Sequence, residues 1–483
     1  MANLITVLSV VNLIIALTII FLERKDPSAT LAWIMILFLV PVAGIIFYFL
    51  FSQNIARQRI FRLTKYEKSV IDQALSWQIQ DMQNGEFVFV NSEAEKWRSM
   101  IRLHQNYAKS FLTQDNKIEM LTNGNQMLDA LLRDIGEAKY VVSVEYYIVK
   151  NDSAGRALLD ALTAKAAEGV EVRLLMDAMG SRQFSDRHLE PFKQAGGKFA
   201  FFFPIRVKLF KLKIFSLKFN YRNHRKLVVI DNRIGYLGGF NIGKEYLGNM
   251  KKIGYWRDTH LRLRGSCVQD MNARFILDWR FASKEKIVIS QAYYSEPEQA
   301  GVTGVQIVAS GPDSSREEVK HGYLKMISSA RKNIYIQTPY FVPDASILDS
   351  LKMAALSGVD VRVMIPCKPD HMFVYWATYF YSAVLLKAGA KIYVYDNGFL
   401  HAKTMAVDGE VASIGSANFD IRSFRLNFEA NAFVYDADEA GKLESSFKAD
   451  IAHCHELTEE LYRSRSLLIK FKEGVARLLS NLL

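Results

Sequence analysis

Two long apolar runs open the chain. Residues 4–22 and 29–51 contain no charged side chain, and each run is long enough to cross about 30 Å of hydrocarbon as a helix. A short polar connector separates them, so the pattern predicts a transmembrane helical hairpin over residues 1–55. A cleaved signal peptide is the alternative for the first run, but residues 1–28 lack its basic start and its cleavage site.

The charges that follow the hairpin predict its orientation. Five basic residues come soon after the second run: Arg57, Arg59, Arg62, Lys65 and Lys68. Because basic residues are enriched on the cytoplasmic side of membrane spans, we expect the rest of the chain to lie in the cytoplasm.

Beyond residue 110 the pattern changes to short β-branched or aromatic runs that alternate with helical stretches. Residues 140–149 and 170–176 predict strands, and the stretch between them predicts a helix. The same order returns further along, where residues 334–342 match residues 141–149. A period of about 190 residues indicates a duplicated α/β domain rather than a solenoid. The chain then divides into four parts: residues 1–55, a juxtamembrane linker region at 56–110, a first α/β domain at 111–295 and a second at 296–483.

Composition and charge narrow the class of protein. Hydrophobic residues make up 50% of the chain and charged residues 23%, which excludes a disordered protein. Lys and Arg exceed Asp and Glu by 61 to 50, for a net charge of +11, which favours nucleic acid, phosphorylated ligands or an acidic membrane surface as partners. The cysteines Cys267, Cys367 and Cys454 are far apart and form no CxxC pair. Neither a disulfide framework nor a zinc site is therefore indicated.

One motif occurs in each α/β domain with identical spacing. The first copy carries His224, Lys226, Asp231, Gly238 and Asn241, and the second carries His401, Lys403, Asp408, Gly415 and Asn418. Alternation along a strand places the histidine and the lysine of each motif on one face. If the two domains meet face to face, their shared cleft holds two imidazoles, two ammonium groups and two carboxamides. This set suits a phosphodiester.

The residue types of the motif predict their chemistry. One neutral histidine can attack phosphorus to give a phosphohistidine, while the other, protonated, donates to the leaving oxygen. Four side chains are candidates for binding the phosphate oxygens: Lys226, Lys403, Asn241 and Asn418. The motifs hold no carboxylate cluster for Mg²⁺ or Zn²⁺, so we expect neither a metal nor another cofactor. Asp231 and Asp408 end their apolar runs, and we interpret them as structural members of the catalytic motif.

Two further carboxylates are candidates for orienting the histidines. A carboxylate on the second ring nitrogen holds a histidine in one tautomer. Asp258 and Glu429 follow the two motifs at comparable places. We expect Asp258 to orient His224 and Glu429 to orient His401.

The paired motif resembles that of the phospholipase D superfamily. Four other segments, at residues 23–27, 310–313, 338–343 and 422–429, resemble bacterial cardiolipin synthases, and with the apolar runs they extend the resemblance over nearly the whole chain. The resemblance implies two phospholipase D-like α/β domains that meet at a shared cleft behind a two-helix transmembrane hairpin, in the cell membrane. It implies phosphatidyl transfer between two phosphatidylglycerol molecules, giving cardiolipin and glycerol. It also implies that His224 is the nucleophile and His401 the acid and base.

One insertion breaks the symmetry of the two copies. The first copy has twenty positions from Pro204 to His224, whereas the second has five from Asp396 to His401. The insertion interleaves apolar side chains with basic ones: Arg206, Lys208, Lys211, Lys213, Lys218 and Arg222. Such a composition favours contact with an anionic bilayer, and a solvated basic loop is the alternative. The tail at residues 467–483 has a similar amphipathic pattern, for which a docked terminal helix is the alternative.

Three competing functions share parts of this pattern. A hydrolytic phospholipase D and a nuclease would use the same histidine pair. An enzyme that acts on a soluble polyanion would not need two membrane spans, so we expect no nucleic acid partner. A membrane scaffold could bind anionic lipid without catalysis. A binding site would need the cations and not the two imidazoles, so the pattern favours the enzyme.

Overall fold

The computed structural model describes residues 10–17, 27–40, 42, 44–45, 48, 60–61, 63–204, 206–209, 212–215, 220–248, 254–287, 298–478 and 480. Residues 10–17 are helical, as is α1 (Pro27–Leu39). The two helices are in contact, since Nδ2 of Asn12 donates to the carbonyl of Leu37 at 2.9 Å. The other parts of the predicted spans at 4–22 and 29–51 lie outside the described residues. In the ranges given above, no helix is both long and apolar enough to cross a bilayer.

The described part of the linker region contains three helices, α2 (Lys65–Asn84), α3 (Ser92–Lys96) and α4 (Arg98–Ala108). Thr64 and Glu67 form a reciprocal capping box at the start of α2, which satisfies backbone donors that the first turn leaves open. Met82, Trp97 and Ile101 are buried in the same apolar core as strands of the second copy. The linker region is therefore packed onto the second α/β domain.

The first α/β copy alternates strands with helices as the sequence predicts. Its elements are β1 (Thr113–Leu121), α5 (Gly124–Gly136), β2 (Val141–Tyr146), α6 (Ser153–Ala167), β3 (Glu171–Asp177), α7 (Asp186–Gln194), β4 (Lys198–Phe202), β5 (Arg206–Leu209), β6 (Leu212–Phe215), β7 (Arg222–Asn223), β8 (Lys226–Ile230), β9 (Ile234–Gly238), a 3₁₀ helix (Lys244–Leu247), β10 (Trp256–Arg257), β11 (His260–Arg264) and α8 (Cys267–Ser283). Strands β5 and β6 form an antiparallel hairpin inside the basic insertion. The other residues of that insertion up to 219, and the side chains of the hairpin, lie outside the described residues.

The second copy repeats this order and adds helices at its end. Its elements are β12 (Thr303–Ser310), α9 (Glu318–Ser329), β13 (Asn333–Gln337), β14 (Phe341–Val342), α10 (Ala345–Leu356), β15 (Asp360–Pro366), α11 (Met372–Leu386), β16 (Lys391–Tyr395), β17 (Phe399–Leu400), β18 (Thr404–Val407), β19 (Val411–Gly415), β20 (Phe419–Asp420), α12 (Ile421–Arg425), β21 (Asn427–Tyr435), α13 (Ala437–Ile451), β22 (Cys454–Glu456), α14 (Glu459–Arg463) and α15 (Leu467–Leu478).

Within the described part of the chain, sixteen strands form one sheet that runs through both copies. Strands β1 and β12 pair antiparallel at its centre. Outward from this seam the first copy adds β11, β9, β8, β2, β3 and β4, and the second adds β21, β19, β18, β13, β15, β16 and β22, while β7 pairs with β21 beside this path. The two halves thus repeat one topology about their seam, and the predicted duplication of an α/β unit is confirmed.

The alternation of side chains along β8 shows why both faces of the sheet are covered. Leu227 and Val229 enter an apolar cluster with α8, whereas Val228 and Ile230 enter another with α5 and α6. A strand buried on both faces has a continuous apolar run, as Leu227 to Ile230 do after Lys226. The strand therefore holds the residues that precede it, His224 and Arg225, between the two copies.

Candidate active site

Each motif histidine is bonded through its backbone to the other copy. Strand β7 pairs in parallel with β21, where Asn223 faces Phe428, and β10 pairs in parallel with β17, where Arg257 faces Leu400. One residue beyond these pairs, the N–H of His224 donates to the carbonyl of Phe428 at 2.9 Å. The N–H of His401 likewise donates to the carbonyl of Arg257 at 2.7 Å. Both histidines therefore lie at the interface between the copies.

The same pairing exchanges the carboxylates, so the expected assignment of Asp258 to His224 and of Glu429 to His401 is wrong. Nδ1 of His224 lies 3.0 Å from each carboxylate oxygen of Glu429, and Nδ1 of His401 lies 2.6 Å from Oδ2 of Asp258. The physical reason is the register of the short strands across the interface. It places the residue after Phe428 beside His224 and the residue after Arg257 beside His401.

Burial controls the protonation of the histidines. Desolvation, together with the positive charge of Lys226, lowers the pKa of His224 to about 4 despite the opposing effect of Glu429. Desolvation and the neighbouring Lys403 lower the pKa of His401 to about 4 in the same way. Both imidazoles are therefore neutral at pH 7 in the unliganded protein.

The orienting carboxylates remain ionised in spite of their burial. Burial favours the protonated form of Glu429, but His224 and Lys226 outweigh it and hold the pKa of this carboxyl below its usual value. Burial also opposes ionisation of Asp258, and Lys403 with His401 reverses that effect and lowers its pKa. Each neutral histidine thus faces an anion that accepts the Nδ1 proton.

The two motif lysines are buried beside their histidines. Nζ of Lys226 donates to the carbonyl of His224 at 2.6 Å, and Nζ of Lys403 donates to the carbonyl of His401. Desolvation lowers the pKa of Lys403 to about 8 and that of Lys226 well below its usual value, and Lys403 adds to the effect on Lys226. Because Lys403 also lowers the pKa of His224, the two motifs form one electrostatic site.

Asp231 and Asp408 lie at the far ends of their strands, away from this site. The carboxylate of Asp231 accepts from the N–H groups of Lys139, Tyr140 and Val141 at 2.8 to 2.9 Å. That of Asp408 accepts from the three matched N–H groups of the second copy, at residues 331–333, at 2.7 to 3.0 Å. Strand β8 separates Asp231 from Lys226 by about 17 Å at the usual rise per residue. Both carboxylates are thus used as acceptors for backbone N–H groups, and their structural role within the motif stays a prediction.

The two motif asparagines are buried. Oδ1 of Asn241 accepts from the N–H of Ile148 at 3.2 Å, and its Nδ2 makes only a long contact of 3.4 Å with the hydroxyl of Tyr246. Nδ2 of Asn418 makes a similarly long contact of 3.3 Å with Asp420. Both amide nitrogens therefore retain donor capacity for a ligand.

Two tyrosines were not anticipated as part of the site. The ring of Tyr147 lies 5.0 Å from that of His224 between centroids, and Nζ of Lys226 lies 5.5 Å from the Tyr147 ring. Tyr340 occupies the matched place in the second copy and donates to Asp370. Desolvation raises the pKa of both hydroxyls, and Tyr147 contributes to the shift at Tyr340. The sequence already indicates this pair, because Tyr147 and Tyr340 occupy equivalent positions when segments 141–149 and 334–342 are aligned.

Arg225 between the first histidine and lysine was also missed. Its guanidinium donates to both oxygens of Asp278 at 2.9 and 3.0 Å and to the carbonyls of Glu429 and Ser310 at 3.0 Å. It therefore ties β8 to α8 and to the second copy directly behind His224. No sequence signal indicates this role, since Ala402 holds the matched position.

In the described residues, no group of three or more His, Cys, Asp or Glu side chains is arranged to hold a metal ion. The donor groups are instead two imidazoles and two ammonium groups at the interface, where each lysine also lowers the pKa of the histidine in the other copy, together with two buried amides. Such a set can bind a phosphodiester and carry both nucleophilic and acid–base steps. The fold and the site together define a two-copy phosphodiester-transfer enzyme.

Comparison with known proteins agrees with this class. Residues 131–278 and 323–451 match the family described as cardiolipin synthase, PLD-like domain, and residues 10–53 match the family described as phospholipase D-nuclease N-terminal. A cardiolipin synthase of Listeria monocytogenes serotype 4b is 49% identical over 100% of this chain and 99% of its own. That of Oceanobacillus iheyensis is 48% identical over 98% of each chain. The chain belongs to the cardiolipin synthase family with PLD-like domains.

A solved structure shares the fold. The phosphatidylserine synthase of Haemophilus influenzae superposes with a TM-score of 0.62 over 80% of this chain and 100% of its own, at 16% sequence identity. The duplicated architecture is thus common to proteins with little sequence in common.

Proposed function

We propose that this chain is a cardiolipin synthase, which transfers the phosphatidyl group of one phosphatidylglycerol to the terminal hydroxyl of a second and releases glycerol. The observation that carries the proposal is the histidine pair at one interface, each with a carboxylate on Nδ1. Two imidazoles held in this way suit a two-step displacement at phosphorus. The full-length relatives named cardiolipin synthase support the same substrate.

In the first step His224 is the nucleophile. Glu429 accepts a hydrogen bond from Nδ1–H of His224, which keeps the proton on Nδ1 and leaves the lone pair of Nε2 for attack on phosphorus. The N–P bond forms as the bond from phosphorus to the headgroup glycerol oxygen breaks. His401 gives its Nε2 proton to that oxygen, and Asp258 stabilises the imidazolium before the transfer. Because the pKa of His401 is about 4 in the unliganded protein, the negative charge of the bound phosphodiester is what favours this proton.

In the second step a hydroxyl of the second phosphatidylglycerol takes the place of the glycerol that left, and His401 accepts a proton instead of donating one. The terminal hydroxyl of the second phosphatidylglycerol gives its proton to His401, and its oxygen attacks the phosphohistidine. The N–P bond breaks, which returns neutral His224 and protonated His401. Cardiolipin and glycerol are the products, and no co-reactant is consumed.

The lysines and asparagines of the motifs bind the phosphate oxygens in this proposal. Nζ of Lys226 and Nζ of Lys403 each donate to a histidine carbonyl, and Nζ of Lys403 also lies 2.9 Å from Nδ1 of His401. An ammonium group has three N–H donors, so each lysine retains donor capacity for phosphate. Asn241 and Asn418 contribute the amide donors that make only long contacts. Together they stabilise the charge that develops on the equatorial oxygens, the role a metal ion has in other phosphoryl transfer enzymes.

We also propose how the chain meets its lipid substrates. Residues 4–22 and 29–51 anchor it in the cell membrane as two spans, with the domains at 111–295 and 296–483 on the cytoplasmic side and residues 56–110 between. The lack of charge in both runs and the family match at residues 10–53 support the anchor. The basic insertion then lies at the anionic surface.

The test is the product formed by the purified full chain in vesicles of phosphatidylglycerol alone, with a chelator present. We expect cardiolipin and glycerol in equal amounts from the native chain, and neither from His224→Ala or His401→Ala. Phosphatidic acid as the main product would make the chain a hydrolytic phospholipase D. Lipid binding without any product would make it a scaffold.

A further inference from the structure

The last helix of the chain is docked by one side only. Glu473 and Ala476 of α15 are buried, and Glu473 pairs with Arg465 and accepts from the hydroxyl of Tyr462 at 3.0 Å. Ala476 enters a small apolar cluster with Val342 and Ala377. The contacts fix α15 against α11 and leave its opposite side without a partner among the described residues.

That opposite side is apolar. Leu467, Phe471 and Leu478 are 83%, 68% and 72% exposed. At about 100° per residue, positions i, i+4 and i+11 fall on one side of a helix. Large apolar residues scattered singly on a surface are ordinary, but a stripe of three along one helix marks an interaction surface. Met372 and Phe373, in the first turn of α11, are 49% and 48% exposed.

The charges beside this stripe are positive. Lys470, Lys472 and Arg477 flank it, and the one acidic residue of the helix, Glu473, is buried and paired. Lys472 lies over the ring of Trp376 and Arg477 over that of Phe380, at 5.1 and 5.3 Å. An apolar stripe bordered by cations is complementary to an anionic bilayer, since the side chains enter the acyl region while the cations meet phosphate groups.

The position of α11 connects this surface to the active site. Asp370, two residues before α11, accepts from the hydroxyl of Tyr340. Tyr340 and Tyr147 are partly exposed, Tyr147 raises the pKa of Tyr340, and the ring of Tyr147 lies 5.0 Å from that of His224 between centroids. The basic insertion borders the site from the other direction. Asn220, near the end of the insertion, accepts a hydrogen bond from Arg422 at 3.0 Å.

From these contacts we propose that α15 and the first turn of α11 form a docking surface for an anionic phospholipid bilayer beside the active site. The surface consists of Met372, Phe373, Leu467, Leu468, Phe471 and Leu478. This surface keeps the border of the active site near Tyr340 in contact with the lipid surface. A phosphatidylglycerol headgroup can then reach the histidines while part of the lipid remains in the bilayer. The kinetic part of this inference rests on the proposed function, whereas the bilayer contact does not.

The first arm of the test measures that contact without using turnover. In the full chain with Cys367→Ser and Cys454→Ser, a fluorophore is attached at Phe471→Cys and, as the matched control, at Tyr140→Cys. Tyr140 is 59% exposed. It lies at the end of the strands that is opposite the histidines, where its N–H donates to Asp231. In phosphatidylglycerol vesicles with brominated acyl chains we expect quenching at position 471 and none at position 140. A label at 471 that stays unquenched, or an unlabelled Phe471→Cys variant that forms a disulfide-linked dimer through position 471, overturns the proposal.

The second arm measures access to substrate. Leu467→Ser, Phe471→Ser and Leu478→Ser are combined, with Tyr140→Ser as control. We expect the apparent KM for phosphatidylglycerol in vesicles to rise by about tenfold or more from the lost apolar contact, and turnover of a short-chain soluble phosphatidylglycerol to stay unchanged, which also reports correct folding. An unchanged KM in vesicles contradicts the inference. If the label is quenched but the native chain makes no cardiolipin, the proposed function fails and the docking surface stands.

Discussion

Glu429 of the second copy contacts Nδ1 of His224 in the first copy through both carboxylate oxygens, each at 3.0 Å. Asp258 of the first copy makes the reciprocal contact with His401 at 2.6 Å. Neither copy therefore contains a complete histidine–carboxylate pair. The catalytic unit in our account is the interface, which explains why two copies occur in one chain.

Removing either carboxylate should impair the reaction rather than the fold. In Glu429→Gln or Asp258→Asn the amide no longer accepts the Nδ1 proton as an anion, so the histidine loses its fixed tautomer. We expect kcat to fall by about 10²- to 10⁴-fold, measured as cardiolipin formation in vesicles. Glu460→Gln, at an exposed position of α14, is the matched control and should retain full activity. Near-native kcat in both site variants would show that the exchanged pairs do not orient the histidines.

Substitution of a motif aspartate should lower the stability of the fold and leave the reaction nearly unchanged. Asp231→Ala removes the acceptor of three backbone N–H groups, so we expect a loss of about 2–4 kcal/mol in the free energy of unfolding. Thermal unfolding in detergent measures it. Asp231→Asn should be milder, because Asn keeps one acceptor oxygen and tolerates the φ of 52° found at this position. Turnover per folded molecule should remain within a few-fold of native, and a collapse of turnover with an unchanged Tm would instead make Asp231 catalytic.

Stability should fall on mild acidification. The pKa of His224 and that of His401 are lowered from 6.5 to about 4 in the folded chain. Between these values the unfolded chain takes up protons that the folded chain does not, so stability is fully present above pH 6.5 and is lost as the pH falls towards 4. Each histidine contributes up to about 3 kcal/mol to this loss. The lowered pKa values of Glu429 and Asp258 act in the same direction at the acid end of the range.

The measurement is Tm against pH for the native chain and for His224→Gln, which lacks one of the titrating groups. We expect the variant to have the shallower dependence between pH 6.5 and 4. Identical slopes, or a native Tm that rises on acidification, would contradict the burial of neutral imidazoles.

The duplication and both histidine–lysine pairs could be predicted because each copy repeats the same spacing, and because a continuous apolar run such as Leu227 to Ile230 indicates a buried strand from the sequence alone. The exchange of Asp258 and Glu429 could not. It depends on β7, β10 and β17, strands of two residues whose partners lie in the other copy, and so short a strand carries no periodic pattern. The position of Arg225 depends likewise on a partner, Asp278, that only the packing of α8 brings near.

The linker region shows a further limit of the sequence. Its helices α2 and α4 are folded onto the second copy through side chains such as Met82 and Ile101. Helical periodicity in the sequence predicts such a helix but does not identify the domain against which its apolar side packs.

The most direct test of the central claim is the identity of the residue that carries the phosphatidyl group. Brief incubation with phosphate-radiolabelled phosphatidylglycerol, followed by an alkaline quench and peptide mapping, locates the covalent intermediate. We predict an acid-labile label on His224 in the native chain and in His401→Ala, and no label in His224→Ala. A label that persists in His224→Ala and maps to His401 would contradict it.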